Sequence, residues 1–197
     1  MSKECKDVLC NSLSQCKQLH RLSIKNVDMC DALLSLDSVN DCFELALDNV
    51  TLRKESKEML FKSLCKSRWL TTLSIKNMDL DDALLGFCSL HKLELDNVTI
   101  SIDSKIMLFV ILSQCEWLKD LSLKNLDLSD GLHELHNMNR LTNITIDNVK
   151  MGEVSKVLMC KSLSQCIQLC ALLLKNLDLD EGLLNLDNLK ILCSLTI

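Results

Sequence analysis

Proline and tyrosine are absent from this 197-residue chain, glycine occurs only four times, and aromatic residues make up 3% of it. Most tight turns rely on proline or glycine for their backbone angles. A chain that turns almost without them points to a repeated architecture with its own way of turning. The glycines (Gly86, Gly131, Gly152 and Gly182) are scattered, so there is no phosphate-cradling loop and no dinucleotide fingerprint. The longest apolar run, 106–112, falls far short of the ~18 residues of a membrane span. The first residues lack the apolar stretch of a signal peptide. A net charge of −5 without a clustered basic face argues against nucleic acid as a partner.

What the chain has is apolar residues, at 48%, and twelve cysteines. That apolar fraction excludes a disordered chain, and the length suffices for one continuous core. No two cysteines form a CxxC pair, which weakens a zinc site. Without an export signal the cysteines read as reduced thiols, and the expected location is cytoplasmic.

An internal repeat settles the organisation. The pattern Leu-x-x-Leu-x-Leu-x-Asn occurs at 19–26 (LHRLSIKN), 42–49 (CFELALDN), 70–77 (LTTLSIKN), 90–97 (LHKLELDN), 118–125 (LKDLSLKN), 141–148 (LTNITIDN) and 169–176 (LCALLLKN). An eighth copy starts at Leu192. The spacings run 23, 28, 20, 28, 23, 28 and 23, so short units (20–23) alternate with long ones (28). The period-2 part of each motif predicts a short strand with one face buried. An apolar pair follows each Asn, as at Val27/Met29 and Met78/Leu80, and leads the chain inward. The long units predict helices near 3–16, 56–67, 103–115 and 153–166, from apolar residues such as Leu60/Leu64 and Leu108/Leu112 at helical spacing. The short units, with Leu33/Leu36, Leu84/Phe87, Leu132/Leu135 and Leu183/Leu186, have room for one helical or 3₁₀ turn.

This motif resembles the leucine-rich repeats of the ribonuclease-inhibitor type, the kind that forms the sensor arrays of intracellular nucleotide-binding leucine-rich-repeat receptors. The resemblance covers the whole chain. It implies an α/β solenoid, with a curved parallel sheet inside and alternating long helices and short turns outside, as a single domain over 1–197. The motif breaks off at Ile197, so a fragment lacking a C-terminal cap is expected. In one departure from the family, the residue after each Asn is aliphatic or Met (Val27, Val50, Met78, Val98, Leu126, Val149, Leu177), which replaces a polar ladder by packing.

Such arrays bind through the exposed face of the sheet, whose side chains alternate with the buried leucines. The last exposed position alternates in sign on every strand: Lys25, Asp48, Lys76, Asp96, Lys124, Asp147 and Lys175. This predicts a structural ion-pair ladder that sets register. The middle position is mostly small (Ser23, Ala46, Ser74, Ser122, Thr145), and the first varies most (Arg21, Glu44, Thr72, Lys92, Asp120, Asn143). The partner-binding candidates are Arg21, Glu44, Lys92, Glu94, Asp96, Asp120 and Lys124. Trp69 and Trp117 precede equivalent leucines, and their repetition favours a wedge at the helix-to-strand corner over an exposed anchor. Cys16, Cys115 and Cys166 end three equivalent Leu-Ser-Gln-Cys segments and read as buried filler. His133 and His136 lack the neighbours of a metal site, and the sequon at Asn49 and Asn97 is a by-product of the repeat. No catalytic constellation is visible, so no enzyme, cofactor or metal is expected.

The functional expectation is a protein-interaction module that binds a protein partner through the sheet face, with an innate-immune sensor array as the setting the resemblance implies. Two alternatives stay open. One is a scaffold that folds back on other domains of the same chain. The other is the substrate-recruiting array of a ubiquitin ligase.

Overall fold

A computed structural model describes residues 2–16, 18–30, 42–81, 89–129, 139–178 and 187–197. The four short turns and the histidines His133 and His136 lie outside these residues. The elements follow the repeat. α1 (Lys3–Gln15) precedes β1 (Arg21–Asp28) and β2 (Glu44–Thr51). α2 (Lys54–Lys66), β3 (Thr72–Asp79) and β4 (Lys92–Thr99) come next, then α3 (Ile102–Gln114). The chain continues through β5 (Asp120–Lys124), β6 (Asp127–Leu128), β7 (Asn143–Asp147), β8 (Lys150–Met151) and α4 (Glu153–Ser164), and ends with β9 (Ala171–Lys175) and β10 (Ser194–Thr196).

Eight strands form one parallel sheet in the order β1-β2-β3-β4-β5-β7-β9-β10, and β6 pairs with β8 beside it. Parallel neighbours need a crossover of a dozen or more residues. Each unit of the repeat provides one, so sheet order equals chain order. Register places like on like: Leu45 lies opposite Leu73, Leu73 opposite Leu93, and Leu93 opposite Leu121. A one-residue slip would turn every leucine to the wrong face, which fixes this pairing.

The helices cover one face only. Leu60, Phe61 and Leu64 of α2, and Leu108, Phe109 and Leu112 of α3, join the strand leucines in a single core. Full burial of such a side chain is worth roughly 1.5–3 kcal/mol. Cys10 and Cys160 occupy the helix position held by Phe61 and Phe109, so cysteine serves there as the small member of a packed row. Cys115 and Cys166 are buried as expected, whereas Cys16, at the end of α1, is exposed. In 106–112, Leu108, Phe109 and Leu112 face the core while Met107 and Val110 are each 40% exposed on the outer side.

The chain turns through a special backbone angle, and asparagine supplies it. Asn26, Asn49, Asn77, Asn97, Asn125, Asn148 and Asn176 all have φ between 51° and 54°. Asparagine is among the few residues that enter this left-handed region readily. The angle shifts the alternation by one, so Val50 and Met78 point into the core where an uninterrupted strand would bury the Asn. The asparagine side chains are exposed, and Val50, Met78, Val98, Leu126 and Val149, which follow them, are buried in the core. The parallel sheet, helix-covered face and in-register repeats make this an α/β leucine-rich-repeat solenoid. No helix among the described residues is long and apolar enough to cross a membrane.

Candidate functional site

The strand positions that alternate with the buried leucines project from the sheet face opposite the helices. At its centre lies Glu94 on β4. Its carboxylate receives Lys76 Nζ at 3.0 Å from β3, Lys124 Nζ at 3.6 Å from β5, and a hydrogen bond from Ser74 Oγ at 3.0 Å. Partial burial pushes the Glu94 carboxyl upward, but the bonds from Lys76 and Ser74 and the two lysine charges outweigh it and hold the group below its ordinary value. Lys92, Glu94, Asp120, Ser122, Lys124 and Asn143 line a depression of about 350 Å³. Ser122 Oγ is buried and has no hydrogen-bond partner among the described residues.

Four of the sequence candidates, Lys92, Glu94, Asp120 and Lys124, therefore meet in one place. Asp96 faces the neighbouring hollow near Asn97 and Asn125. Arg21 and Glu44 pair with each other at 3.2 Å on β1 and β2. Asp120 accepts a hydrogen bond from Asn143 Nδ2.

The sign-alternating row lies in register, with Lys25 opposite Asp48 and Lys76 opposite Asp96. Its charged ends do not meet: among the described residues no ion pair joins one of its lysines to one of its aspartates. Lys76 and Lys124 turn to Glu94 instead. The aspartates accept from the asparagine amides of the next strand: Asn77 to Asp48 at 2.8 Å, Asn125 to Asp96 at 2.7 Å and Asn176 to Asp147 at 2.8 Å. The intervening asparagines donate to the Asn before them, as Asn97 does to Asn77 at 2.9 Å and Asn148 to Asn125 at 2.8 Å. The left-handed residue that bends each strand thus also ties it to its neighbour. The amides of Asn49 and Asn97, the sequon asparagines, are spent in this ladder.

Two further sets lie outside the open face. The first is a row of buried lysines in the first turn of each helix. Lys6, Lys57, Lys105 and Lys156 are 5–9% exposed and reach Asp28 (3.9 Å), Asp79 (3.0 Å), Asp127 (3.9 Å) and Asp178 (3.5 Å), at or just beyond the far end of the following strand. A buried lysine needs such a partner. Asp28, Asp79 and Asp127 also accept the backbone N–H two residues on, which caps the turn. That amide of Cys30 is the main reason Asp28 lies below its ordinary pKa, and Ser129 does the same for Asp127. At Asp79 burial pulls upward, and the Asp81 amide and Lys57 outweigh it. The signal in the sequence was a lysine 22 residues ahead of an aspartate in every long unit.

The second set is aromatic. Trp69 and Trp117 are 55% and 54% exposed, so they are not wedges. Each lies at the end of the sheet where the strands begin and leans on the preceding repeat. Trp69 meets Phe43 edge-on at 6.3 Å, and Phe43 stacks on His20 at 5.2 Å. Trp117 stacks with His91 at 6.3 Å, and the Arg140 guanidinium lies 5.5 Å from the Trp117 ring centre.

Among the described residues no group of three or more His, Cys, Asp and Glu could hold a metal ion. Cys160 and Cys166 are buried, and Cys170 lies beside Cys193. Burial pushes the Cys166 thiol up to about 11, well out of the reactive range.

No family model matches the chain, and no curated protein matches it. Among solved structures it is similar to an internalin from Listeria monocytogenes str. 4b F2365, at 11% identity with a TM-score of 0.44. The match covers 94% of this chain and 63% of the internalin, so the chain spans less than two thirds of that protein's length. The fold assignment rests on strand order and register.

Proposed function

We propose that the chain is a protein-interaction module that takes a protein partner on the open face of its sheet, around Lys92, Glu94, Asp120 and Lys124. The observation that carries this reading is the depression in which these charged groups converge on an in-register sheet with a half-buried carboxylate at its centre. Small neighbours, Ser74, Ser122 and Thr145, keep the surface low enough for another backbone to approach. Solenoid sheets present such extended surfaces without conformational change.

The setting we propose, from the motif's resemblance to ribonuclease-inhibitor-type repeats, is the sensor array of an intracellular innate-immune receptor in the cytoplasm. A nucleotide-binding domain encoded in the adjoining reading frame supports that setting; adjoining frames that encode only further repeats or a ligase domain overturn it.

The test of the binding face is a comparison of wild type with Lys92→Glu/Lys124→Glu in proximity labelling in cells. The double variant keeps its circular dichroism and thermal midpoint and loses the proteins that wild type labels. If it labels the same set equally, the open face is not the binding site.

A further inference from the structure

We infer that the strand-start rim of the sheet, the edge carrying Trp69 and Trp117, is a second recognition surface, and that it takes an extended acidic, proline-containing peptide segment of a protein partner. The inference extends the interaction-module reading to a different part of the molecule.

Three observations lead there. The first is exposure. Phe43, Trp69 and Trp117 are 36%, 55% and 54% exposed, and they are not scattered. Ring contacts join them into two clusters, His20–Phe43–Trp69 and His91–Trp117–Arg140, that follow one another along the same rim. Tryptophan and arginine dominate the energetics of protein interfaces, and exposed aromatic planes are the usual bed for proline-rich segments.

The second observation is charge. Arg21, Arg68, Lys92, Lys119 and Arg140 stand exposed along this rim, where the acidic residues are Glu44, which pairs with Arg21, Glu116 and Asp120. Asp120 already accepts from Asn143. This edge is cationic in a chain whose net charge is −5. At the opposite rim Asp28, Asp79, Asp127 and Asp178 are each matched by a helix lysine. Charge complementarity therefore selects an acidic occupant for the aromatic rim.

The third is length. From His20 to Arg140 the stripe crosses six strands of the sheet. Five steps of ~4.8 Å give about 24 Å. A polyproline II segment covers that distance with about eight residues at ~3.1 Å each. The rings are already held in place by their contacts, so little side-chain freedom remains to be lost on binding.

The molecule carries its own reporter, because its only two tryptophans lie on this rim and it has no tyrosine. Iodide and caesium quenching of the intrinsic emission reads the local charge. The expected result is an iodide quenching constant at least about twofold that of caesium, with the order reversed in Lys119→Glu/Arg140→Glu. Equal constants, or a caesium preference in wild type, overturn the cationic reading.

Titration with a ten-residue alternating Glu-Pro peptide then reads binding. We expect a saturable change in emission that weakens at high salt, and none with the alternating Lys-Pro peptide. The half-saturation point rises about tenfold or more in Trp117→Ala and in Arg140→Glu, about the loss expected for an interface anchor. Two independent variants guard against one that fails to fold. Lys124→Glu, on the open face, leaves peptide binding unchanged. The rim proposal is overturned if the Glu-Pro peptide gives no change up to about 1 mM. It is also overturned if Lys-Pro binds as well, or if Lys124→Glu abolishes binding as fully as Trp117→Ala. Lys92 stands where the two surfaces meet, so the proposals are separated by Lys124→Glu, which alters only the open face, and Trp117→Ala, which alters only the rim.

Discussion

The two ends of the same strands are built for different purposes. Where the strands finish, nearly every polar group has a named partner. Asparagine amides run from strand to strand, aspartates cap the turns that follow, and buried helix lysines reach the same aspartates. Where the strands begin, large rings and cations stand half in solvent. The repeat makes the first end almost invariant from unit to unit and leaves the second free to vary. In a solenoid each unit contacts only its neighbours, so a closing device must recur in every unit, whereas a recognition surface gains from differing between units.

Breaking the finishing end should have the largest effect. Asn97 holds φ at 51° and donates to Asn77. In Asn97→Val a branched side chain is forced into the left-handed region, at about 1–2 kcal/mol, and a hydrogen bond worth about 1 kcal/mol is lost. The expected cost is about 2–3 kcal/mol by urea denaturation. Asn97→Gly keeps the angle and loses only the amide, so it should cost about 1 kcal/mol. Trp117→Ala, at the starting end, should cost less than either. If Trp117→Ala destabilises as much as Asn97→Val, the division of labour between the two ends is wrong.

Acid should separate the ends as well. Asp28, Asp79, Asp127 and Glu94 all have pKa values below their ordinary 3.8 or 4.5 in the folded chain. A group depressed on folding stabilises the fold fully above its unfolded value, and that stabilisation is lost as pH falls through the folded value. Stability should therefore be flat near neutrality and fall as pH drops from about 4.5 into the region below 3.8. Three of the four groups sit where the strands finish. Asp79→Asn/Asp127→Asn should flatten the acid limb of a urea-midpoint profile against pH, and an unchanged slope would show that these carboxylates are not its source.

The contrast between the ends also explains what the sequence made legible. Repeat spacing and period-2 leucines were enough for the strands, their parallel order and the helices, because those follow from which face must be buried. The cluster of Lys92, Glu94, Asp120 and Lys124 was legible because alternate residues of equivalent strands must share a face. The partner of each charge was not. Lys76 has Asp96 opposite in register and Glu94 two residues from it, and only side-chain geometry decides for Glu94. The role of Asn97 was missed because a repeated Asn identifies a position without stating its φ. Trp69 and Trp117 were misread for a related reason: recurrence at equivalent positions is what packing produces, and here the recurring residue points outward.

The smallest effect tests whether the buried lysines are structural members or only long apolar stems. Lys57 is 9% exposed and bonds to Asp79 at 3.0 Å, while the Asp79 side chain is 57% exposed. Solvent around the aspartate screens the pair, so the ionic part is worth only about 0.5–1 kcal/mol. The lysine stem lies against the core and contributes packing independently of its charge. Lys57→Met keeps the stem and should be nearly neutral, whereas Lys57→Ala loses stem and charge together and should cost more. Asp79→Asn retains an acceptor for the Asp81 amide and should fall between them. If Lys57→Met proves as costly as Lys57→Ala, the charge carries the strut, and the finishing end is held electrostatically to a degree that its exposed aspartates do not suggest.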